Sequence, residues 1–223
     1  MGALSRFSAK PTYNACCLLT HLLQYLNGNP ECKIIFSQGD WNLHGFSDAD
    51  WAGYKLTRRS TGDFIIFVMG GPIAWQSKLM LIVAKSSMES EYMALFHGLQ
   101  EVVWTRGVLK ELKLLNVLVD GPTPWLIDSQ SAKDLAENPV YHKRSKHIDI
   151  LWHWLRQIVD PEGIRYEVKL HHCTTEMMTA DVLTKTLVGA LFNFHSERIS
   201  GKNKNRDVNE VIKLCKKKKS RYK

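Results

Sequence analysis

The sequence predicts a mixed α/β fold in which a meander of strands is followed by alternating helix and strand. Three observations predict it. Residues 61–69 hold the β-branched and aromatic run Phe64-Ile65-Ile66-Phe67-Val68, stopped by the turn signal Gly70-Gly71-Pro72. Ser86-x-x-Glu89 is a capping box opening a long helical stretch. From Trp125 onward short apolar segments alternate with amphipathic ones, the pattern of a sheet with helices packed on it.

Taken in order, Tyr13 to Leu26 repeats apolar residues at helical spacing (Cys16, Leu19, Leu22, Leu23, Leu26) and ends at Asn27-Gly28-Asn29-Pro30. Its partner surface is not evident in the rest of the chain. Lys33 to Phe36 reads as a short strand. Trp41 to Ala49, Thr61 to Met69, Ile73 to Ser77 and Met80 to Ala84 read as strands or strand pieces. A helix follows from about Met88 to Leu115, weakened at Gly107, and Gly121 to Pro124 breaks the chain. Trp125 to Ile127 is a buried strand, Ser131 to Ala136 a helix stopped by Asn138-Pro139, and His147 to Val159 an amphipathic helix. Ile164 to Leu170 alternates as a strand, and Thr179 to Phe192 closes the core as a helix. Trp104, Trp152 and Trp154 read as core residues.

With 223 residues, 44% of them hydrophobic, the chain holds ample material for one sizeable core. No apolar run is long enough to span a bilayer, and no signal pattern opens the chain. Five cysteines without C-x-x-C spacing argue against a disulfide framework or a zinc site and read as reduced, intracellular thiols. The net charge of +8 is local, because residues 201–223 carry ten lysines and arginines against two acids and the remainder is neutral. That end reads as a basic, disordered tail, either a solubilising end or a contact for polyanions.

Four acids stand out, in the order Asp48, Glu91, Asp128, Asp181, each at a predicted strand edge or helix start. Carboxylates gathered together repel and lose hydration unless a cation joins them. Hard oxygen ligands suit Mg²⁺, which prefers carboxylates together with substrate phosphate oxygens. Glu91 lies in line with Met88, Leu95, Leu99 and Val102, a buried stripe on which a carboxylate is costly unless it binds metal or pairs with a core Lys or Arg. Asp128 ends a strand and precedes a helix, where capping is the commoner use of Asp. Asp48 and Asp50 share a strand face, and spacing does not choose between them. Asp181 sits in a first helical turn, where negative charge is favourable in any case.

The residues carrying these acids also match a known pattern. Gly45-Phe46-Ser47-Asp48-Ala49-Asp50-Trp51-Ala52-Gly53, Arg59-Ser60-Thr61-Gly62, Ala74-Trp75-Gln76-Ser77-Lys78, Ser86-Ser87-Met88-Glu89-Ser90-Glu91-Tyr92-Met93-Ala94, Asp128-Ser129-Gln130-Ser131-Ala132, Ser145-Lys146-His147-Ile148-Asp149-Ile150 and Ala180-Asp181-Val182-Leu183-Thr184-Lys185 resemble the ribonuclease H domain of copia-type retrotransposon polyproteins, in order and spacing. The resemblance covers roughly Leu43 to Leu187, and Tyr13 to Phe36 resembles the end of the preceding reverse transcriptase. It divides the chain into a helical remnant (1–38), a ribonuclease H-like domain (39–192) and the basic tail (193–223).

The resemblance implies a ribonuclease H-like fold, a five-stranded mixed sheet flanked by helices. It implies two Mg²⁺ ions, with Mn²⁺ as a substitute, and hydrolysis of the RNA strand of RNA–DNA hybrids beside a reverse transcriptase. The family's metal-binding acids fall on Asp48, Glu91, Asp128 and Asp181, which selects Asp48 over Asp50. Asp48 would bridge both ions, Glu91 and Asp128 would hold the first, and Asp181 the second. Gln76, Ser129 and Gln130 are candidate substrate contacts, though each could equally satisfy a loop backbone. Lys143, Arg144, Lys146 and His147 form a basic cluster that reads as a phosphate rail or a solvated loop. Many relatives place a histidine in the loop before the last acid. Here residues 173–178 have none, and His171 and His172 end the preceding strand. The alternative reading is a catalytically silent, nucleic-acid-binding relic or a fragment of a polyprotein.

Overall fold

The computed structural model describes residues 2–37, 42–119, 121–137, 149–159, 162, 165–202 and 208–221. The chain divides into two compact units, residues 1–34 and 35–223.

The first unit holds helices α1 (Gly2–Ser5) and α2 (Tyr13–Gly28). Thr12 caps α2 by accepting the Ala15 N–H. Leu18, Leu19, Leu23, Tyr25 and Leu26 are exposed on it.

The second unit is built on the expected five-stranded mixed sheet flanked by helices. Strands β1 (His44–Tyr54), β2 (Arg59–Val68) and β3 (Gly71–Leu79) form an antiparallel meander. Then β4 (Thr123–Ile127) joins β1 in parallel and β5 (Val168–His172) joins β4 in parallel, so the sheet order is β3-β2-β1-β4-β5. Helix α3 (Ser87–Glu111) is capped by Ser86, and Glu89 reaches back to accept the Lys85 N–H at 2.8 Å. Gly107 does not interrupt it. After α3 come α4 (Leu115–Leu118), α5 (Gln130–Glu137) and α6 (Asp149–Val159).

Alternation along the strands separates two apolar layers. On one face Phe64, Ile66, Trp125 and Ile127 pack with Leu95, Leu99 and Val102 of α3 and with Trp152 and Leu155 of α6. Trp125 is wedged between β1 and α3: a Cβ on Gly45 would meet its indole at 2.2 Å and one on Gly98 at 2.3 Å. Its Nε1 donates to Ser47 Oγ at 3.0 Å, which ties β4 to β1 beside Asp48. On the other face lie Phe46, Ile65, Phe67 and Leu126.

The structure corrects several expectations. Lys33 to Phe36 is not a strand, because the Ile35 N–H bonds singly to the Ser200 carbonyl rather than to a ladder. Met80 to Ala84 is irregular, with Leu81, Ile82 and Val83 exposed. The closing helix expected over Thr179–Phe192 is broken into the single-turn α7 (Asp181–Thr184) and α8 (Gly189–Ser200), which opens on Gly189 at φ +60°, and a 3₁₀ turn (Thr175–Met177) precedes them. Trp104 is 64% exposed, on the outer side of α3.

The largest correction concerns the tail. The boundary at residue 192 cuts through α8, whose His195, Arg198 and Ser200 are buried. Residues 208–221 form helix α9 (Val208–Arg221) instead of a disordered end. Val208, Val211, Ile212 and Cys215, spaced i, i+3, i+4, i+7, are buried against Phe46, Ile65, Phe67 and Leu126. The second face of the sheet would otherwise lie open there, and the lysines Lys213 and Lys216 remain exposed.

Candidate metal centre

Asp48 comes from β1, Glu91 from the second turn of α3 and Asp128 from the residue after β4. The parallel pairing of β1 with β4 and the capping of α3 bring these three together. One carboxylate oxygen of each lies within 4.8 Å of the others. Asp48 is 1% exposed, and Glu91 and Asp128 are half-buried. Asp50 is not in this group; its carboxylate folds over Gly53, where a Cβ would lie 1.6 Å from Oδ2. Capping of α5 falls to Ser129, whose Oγ accepts the Ala132 N–H, so Asp128 is released from that duty. Among the described residues no lysine or arginine forms an ion pair with Glu91 or Asp128.

Asp181 opens α7, which packs on β1, β2 and β3. It joins the cluster through Lys185, whose Nζ lies 2.9 Å from Asp181 Oδ1 and 3.2 Å from Asp48 Oδ2. Thr184 Oγ1 also donates to Asp48 Oδ2 at 2.7 Å, fixing that carboxylate from the α7 side. The four acids of the sequence pattern thus converge, with one lysine shared between two of them.

A fifth acid went unnoticed in the sequence. Asp63 of β2 pairs directly with Asp48 across the ladder. It is 2% exposed, and neither of its oxygens has a hydrogen-bond partner. In sequence it passes for a polar residue of a strand, and only the register with Asp48 reveals it.

The electrostatics are those of a crowded anionic site. Burial, with the charges of Asp48 and Glu91 behind it, pushes the Asp63 carboxyl up to about 10. Burial and the charges of Asp48 and Asp128 push Glu91 up to about 9, against the pull of a hydrogen bond from the Ala49 backbone. Asp128 is raised by burial and by Asp48, and the nearby charges of Lys185 and His172 oppose this. Burial raises Asp181 to about 7, although its hydrogen bond with Lys185 opposes the rise. Burial works against the Lys185 charge, but the hydrogen bond to Asp181 and the charge of Asp48 hold its pKa above the ordinary lysine value. Metal-free, the cluster favours partial protonation. A divalent cation relieves that condition, and the all-oxygen donor set of Asp48, Glu91 and Asp128 suits a hard ion such as Mg²⁺ or Mn²⁺. The residues present therefore fit a metal ion.

The other candidate contacts fall into local roles or outside the described residues. Gln76 of β3 lines a small cavity with Gly62, Lys78, Met80, Ala94 and His97. Ser129 is the α5 cap and shares a hydrogen bond with Ser131. Gln130 Nε2 donates to Asp134 one turn along α5. Lys143, Arg144, Lys146 and His147 lie outside the described residues. Of the two strand-ending histidines, His172 acts on Asp128. His171 has its pKa lowered to about 4 by burial and by Lys169, Lys216 and Lys133.

No protein-family model matches the chain. It is 35% identical over 201 residues, 89% of its length, to the retrovirus-related Pol polyprotein from transposon TNT 1-94 of Nicotiana tabacum. It is 36% identical over 199 residues, 88% of its length, to that of transposon RE1 of Arabidopsis thaliana. It spans only 14% and 13% of those polyproteins. Among solved structures, an LC11-RNase H1 in complex with RNA/DNA hybrid aligns at TM-score 0.44 and 16% identity, covering 64% of this chain and 93% of that one. Along nearly all of its own length the chain is homologous to copia-type retrotransposon Pol polyproteins, and its five-stranded mixed sheet with flanking helices is the one expected of a ribonuclease H-like fold.

Proposed function

We propose that this segment is a metal-dependent endonuclease that hydrolyses the RNA strand of RNA–DNA hybrids during reverse transcription, in concert with the reverse transcriptase of the same polyprotein. One observation carries the reading: carboxylate oxygens of Asp48, Glu91 and Asp128 lie within 4.8 Å of one another. The relatives' Pol polyproteins supply the context, and the sequence motifs supply the reaction class.

Asp48, Glu91 and Asp128 would hold a divalent ion, and Asp48 with Asp181 would hold a second. Such ions, when bound, polarise the scissile phosphate, lower the pKa of an attacking water and stabilise the leaving 3′ oxygen. The chain's own part is to keep the acids in place. Thr184 orients Asp48, the Ala49 N–H orients Glu91, and the Trp125–Ser47 hydrogen bond locks β4, which carries Asp128, onto β1. Choice of hybrid over other duplexes requires contacts to the RNA 2′-hydroxyls and to duplex shape.

The test is a Mg²⁺ titration of cleavage on a labelled RNA–DNA hybrid, with double-stranded RNA and double-stranded DNA as controls. The expected result is cleavage of the RNA strand in the hybrid alone, abolished by Asp48→Asn or Asp128→Asn in proteins that still fold. Cleavage that survives both changes, or hybrid binding without turnover at millimolar Mg²⁺ or Mn²⁺, overturns the reading.

A further inference from the structure

The acid cluster is electrically lopsided. Lys185 Nζ sits 2.9 Å from Asp181 Oδ1, 3.2 Å from Asp48 Oδ2 and 3.4 Å from Asp48 Oδ1. Its ammonium therefore stands where the carboxylates of Asp48 and Asp181 meet. On the other side of Asp48, Glu91 and Asp128 converge without any lysine or arginine ion pair among the described residues. Behind Asp48 lies Asp63, 2% exposed, with neither oxygen hydrogen-bonded and, among the described residues, no ion pair. Among the described residues, direct ion pairing within the cluster therefore falls on the Asp48–Asp181 side, while Glu91 and Asp128 feel Lys185 at longer range.

The lysine is built to leave. Its side chain is 39% exposed, so the way to solvent is open. It follows the single turn of α7, where Val188 and Gly189 already lie outside any helix made with Asp181. A four-carbon stem with a compact ammonium swings at little cost beyond its two carboxylate contacts. A divalent ion held between Asp48 and Asp181 would require the same oxygens, and two cations cannot share them at such range without strong repulsion.

We propose that Lys185 is a displaceable internal counter-cation that holds the Asp48–Asp181 half of the centre, so that divalent ions load in sequence. The first enters among Asp48, Glu91 and Asp128 with Lys185 in place. The second enters between Asp48 and Asp181 only as the ammonium withdraws. Lys185 thereby weakens the second site while keeping the metal-free chain from bearing the full repulsion of Asp48, Asp63 and Asp181. This inference rests on the reading that the acids bind divalent cations.

The test is Mn²⁺ binding by the full chain without nucleic acid, followed by calorimetry and by the electron paramagnetic resonance signal of free Mn²⁺. Wild type, Lys185→Met and Lys185→Arg are compared. The expected result is that Lys185→Met tightens the second, weaker binding event by about tenfold or more while changing the first by less than about threefold, since tenfold corresponds to a single lost pairwise contact of ordinary size. Lys185→Arg keeps the wild-type pattern. Equal second-site affinity in wild type and Lys185→Met overturns the proposal and leaves the metal-binding reading standing. Wild type that binds no Mn²⁺ overturns both. Should Lys185→Met fail to fold without metal, the wild type answers alone: the Lys185 Cε resonance shifts in the second phase of a Mg²⁺ titration. A resonance that stays fixed to saturation of both phases refutes the displacement.

Discussion

Asp63 stands opposite Asp48 across the β1–β2 ladder, two buried carboxyls on one face of the sheet. A pair of like charges this close is destabilising in a strand ladder. Here the pair belongs to a larger acid group, and the metal-free fold bears the strain as raised pKa values. The sign follows directly. Asp63 is raised from 3.8 to about 10 and Glu91 from 4.5 to about 9. Above the ordinary carboxylate range the unfolded chain has released these protons while the folded chain retains them. Metal-free stability therefore falls as pH rises, from about 3.8 to about 10, with both groups contributing between about 4.5 and 9. The buried His44 and His195, lowered to about 3 and about 4 by burial and the charge of Arg198, act on the acid side, where stability is lost as pH falls below 6.5. Between pH 7 and 9 only the carboxyl effect remains of these two. Urea denaturation in a chelating buffer is expected to give a midpoint that drops across that interval, and saturating Mg²⁺ or Mn²⁺ to flatten the drop. A metal-free midpoint that climbs between pH 7 and 9 contradicts the cluster.

Removing the charge of Asp63 while keeping its shape isolates its share. Asp63→Asn leaves an amide where the carboxyl had no hydrogen-bond partner to lose. Its expected effect is a higher midpoint for the metal-free protein at pH 8 and a shallower decline with rising pH, the difference from wild type shrinking toward pH 4 and below, where the unfolded chain also holds the proton. A lower midpoint at pH 8 would mean that the carboxylate has a favourable partner. The measurement is the same denaturation series on wild type and variant side by side.

Two glycines of one helix offer a matched comparison. A Cβ on Gly98 would lie 2.3 Å from Trp125 Cζ2 and 3.1 Å from Phe64 Cβ, whereas one on Gly107 meets nothing within 4 Å. Alanine is favoured over glycine in a helix by about 1 kcal/mol. At Gly107 that gain stands alone, so Gly107→Ala is expected to stabilise by up to about 1 kcal/mol. At Gly98 overpacking against a fully buried indole costs about 1–3 kcal/mol, which exceeds the gain. Gly98→Ala is expected to destabilise, and, because Trp125 also bonds Ser47 beside Asp48, to weaken Mn²⁺ binding as well. Thermal melting and Mn²⁺ titration of the two variants check both parts.

Much of this centre was legible in the sequence, and the reasons differ residue by residue. Glu91 was separable from Glu89 because helix periodicity sets one on the apolar stripe and the other in the cap. Asp128 was readable at a strand end, although the residue that caps α5 proved to be Ser129. Asp48 and Asp50 could not be told apart by strand alternation; the register shift of β1 between Asp50 and Tyr54, with Ala52 at φ +54°, sets Asp50 aside over Gly53. Asp63 and the Lys185 bridge depend on β1–β2 register and on the fold of a single helical turn, long-range facts that no local pattern encodes. The strand pieces failed where exposed apolar residues, Leu81 to Val83, imitate a strand without a ladder to join. The tail failed for the opposite reason: its lysine run dominates composition, while the apolar spacing of Val208, Val211, Ile212 and Cys215 was present but short.

That last helix supplies a sharp contrast between composition and packing. Ile212 is 8% exposed and lies with Phe46, Ile65 and Leu126, whereas its neighbour Lys213 points to solvent. Truncating a buried isoleucine to alanine costs about 2–5 kcal/mol, through lost burial and the cavity left behind. A surface lysine replaced by alanine changes stability by no more than about 0.5 kcal/mol. Ile212→Ala is therefore expected to lower the urea midpoint clearly and Lys213→Ala to leave it nearly unmoved. If residues 208–221 were a solvated basic extension, both changes would be silent, and deletion of the helix would leave the melting transition intact. If α9 covers the second face of the sheet, deletion instead exposes Phe46, Ile65 and Phe67, and the shortened chain aggregates or binds a hydrophobic dye where the full chain does not.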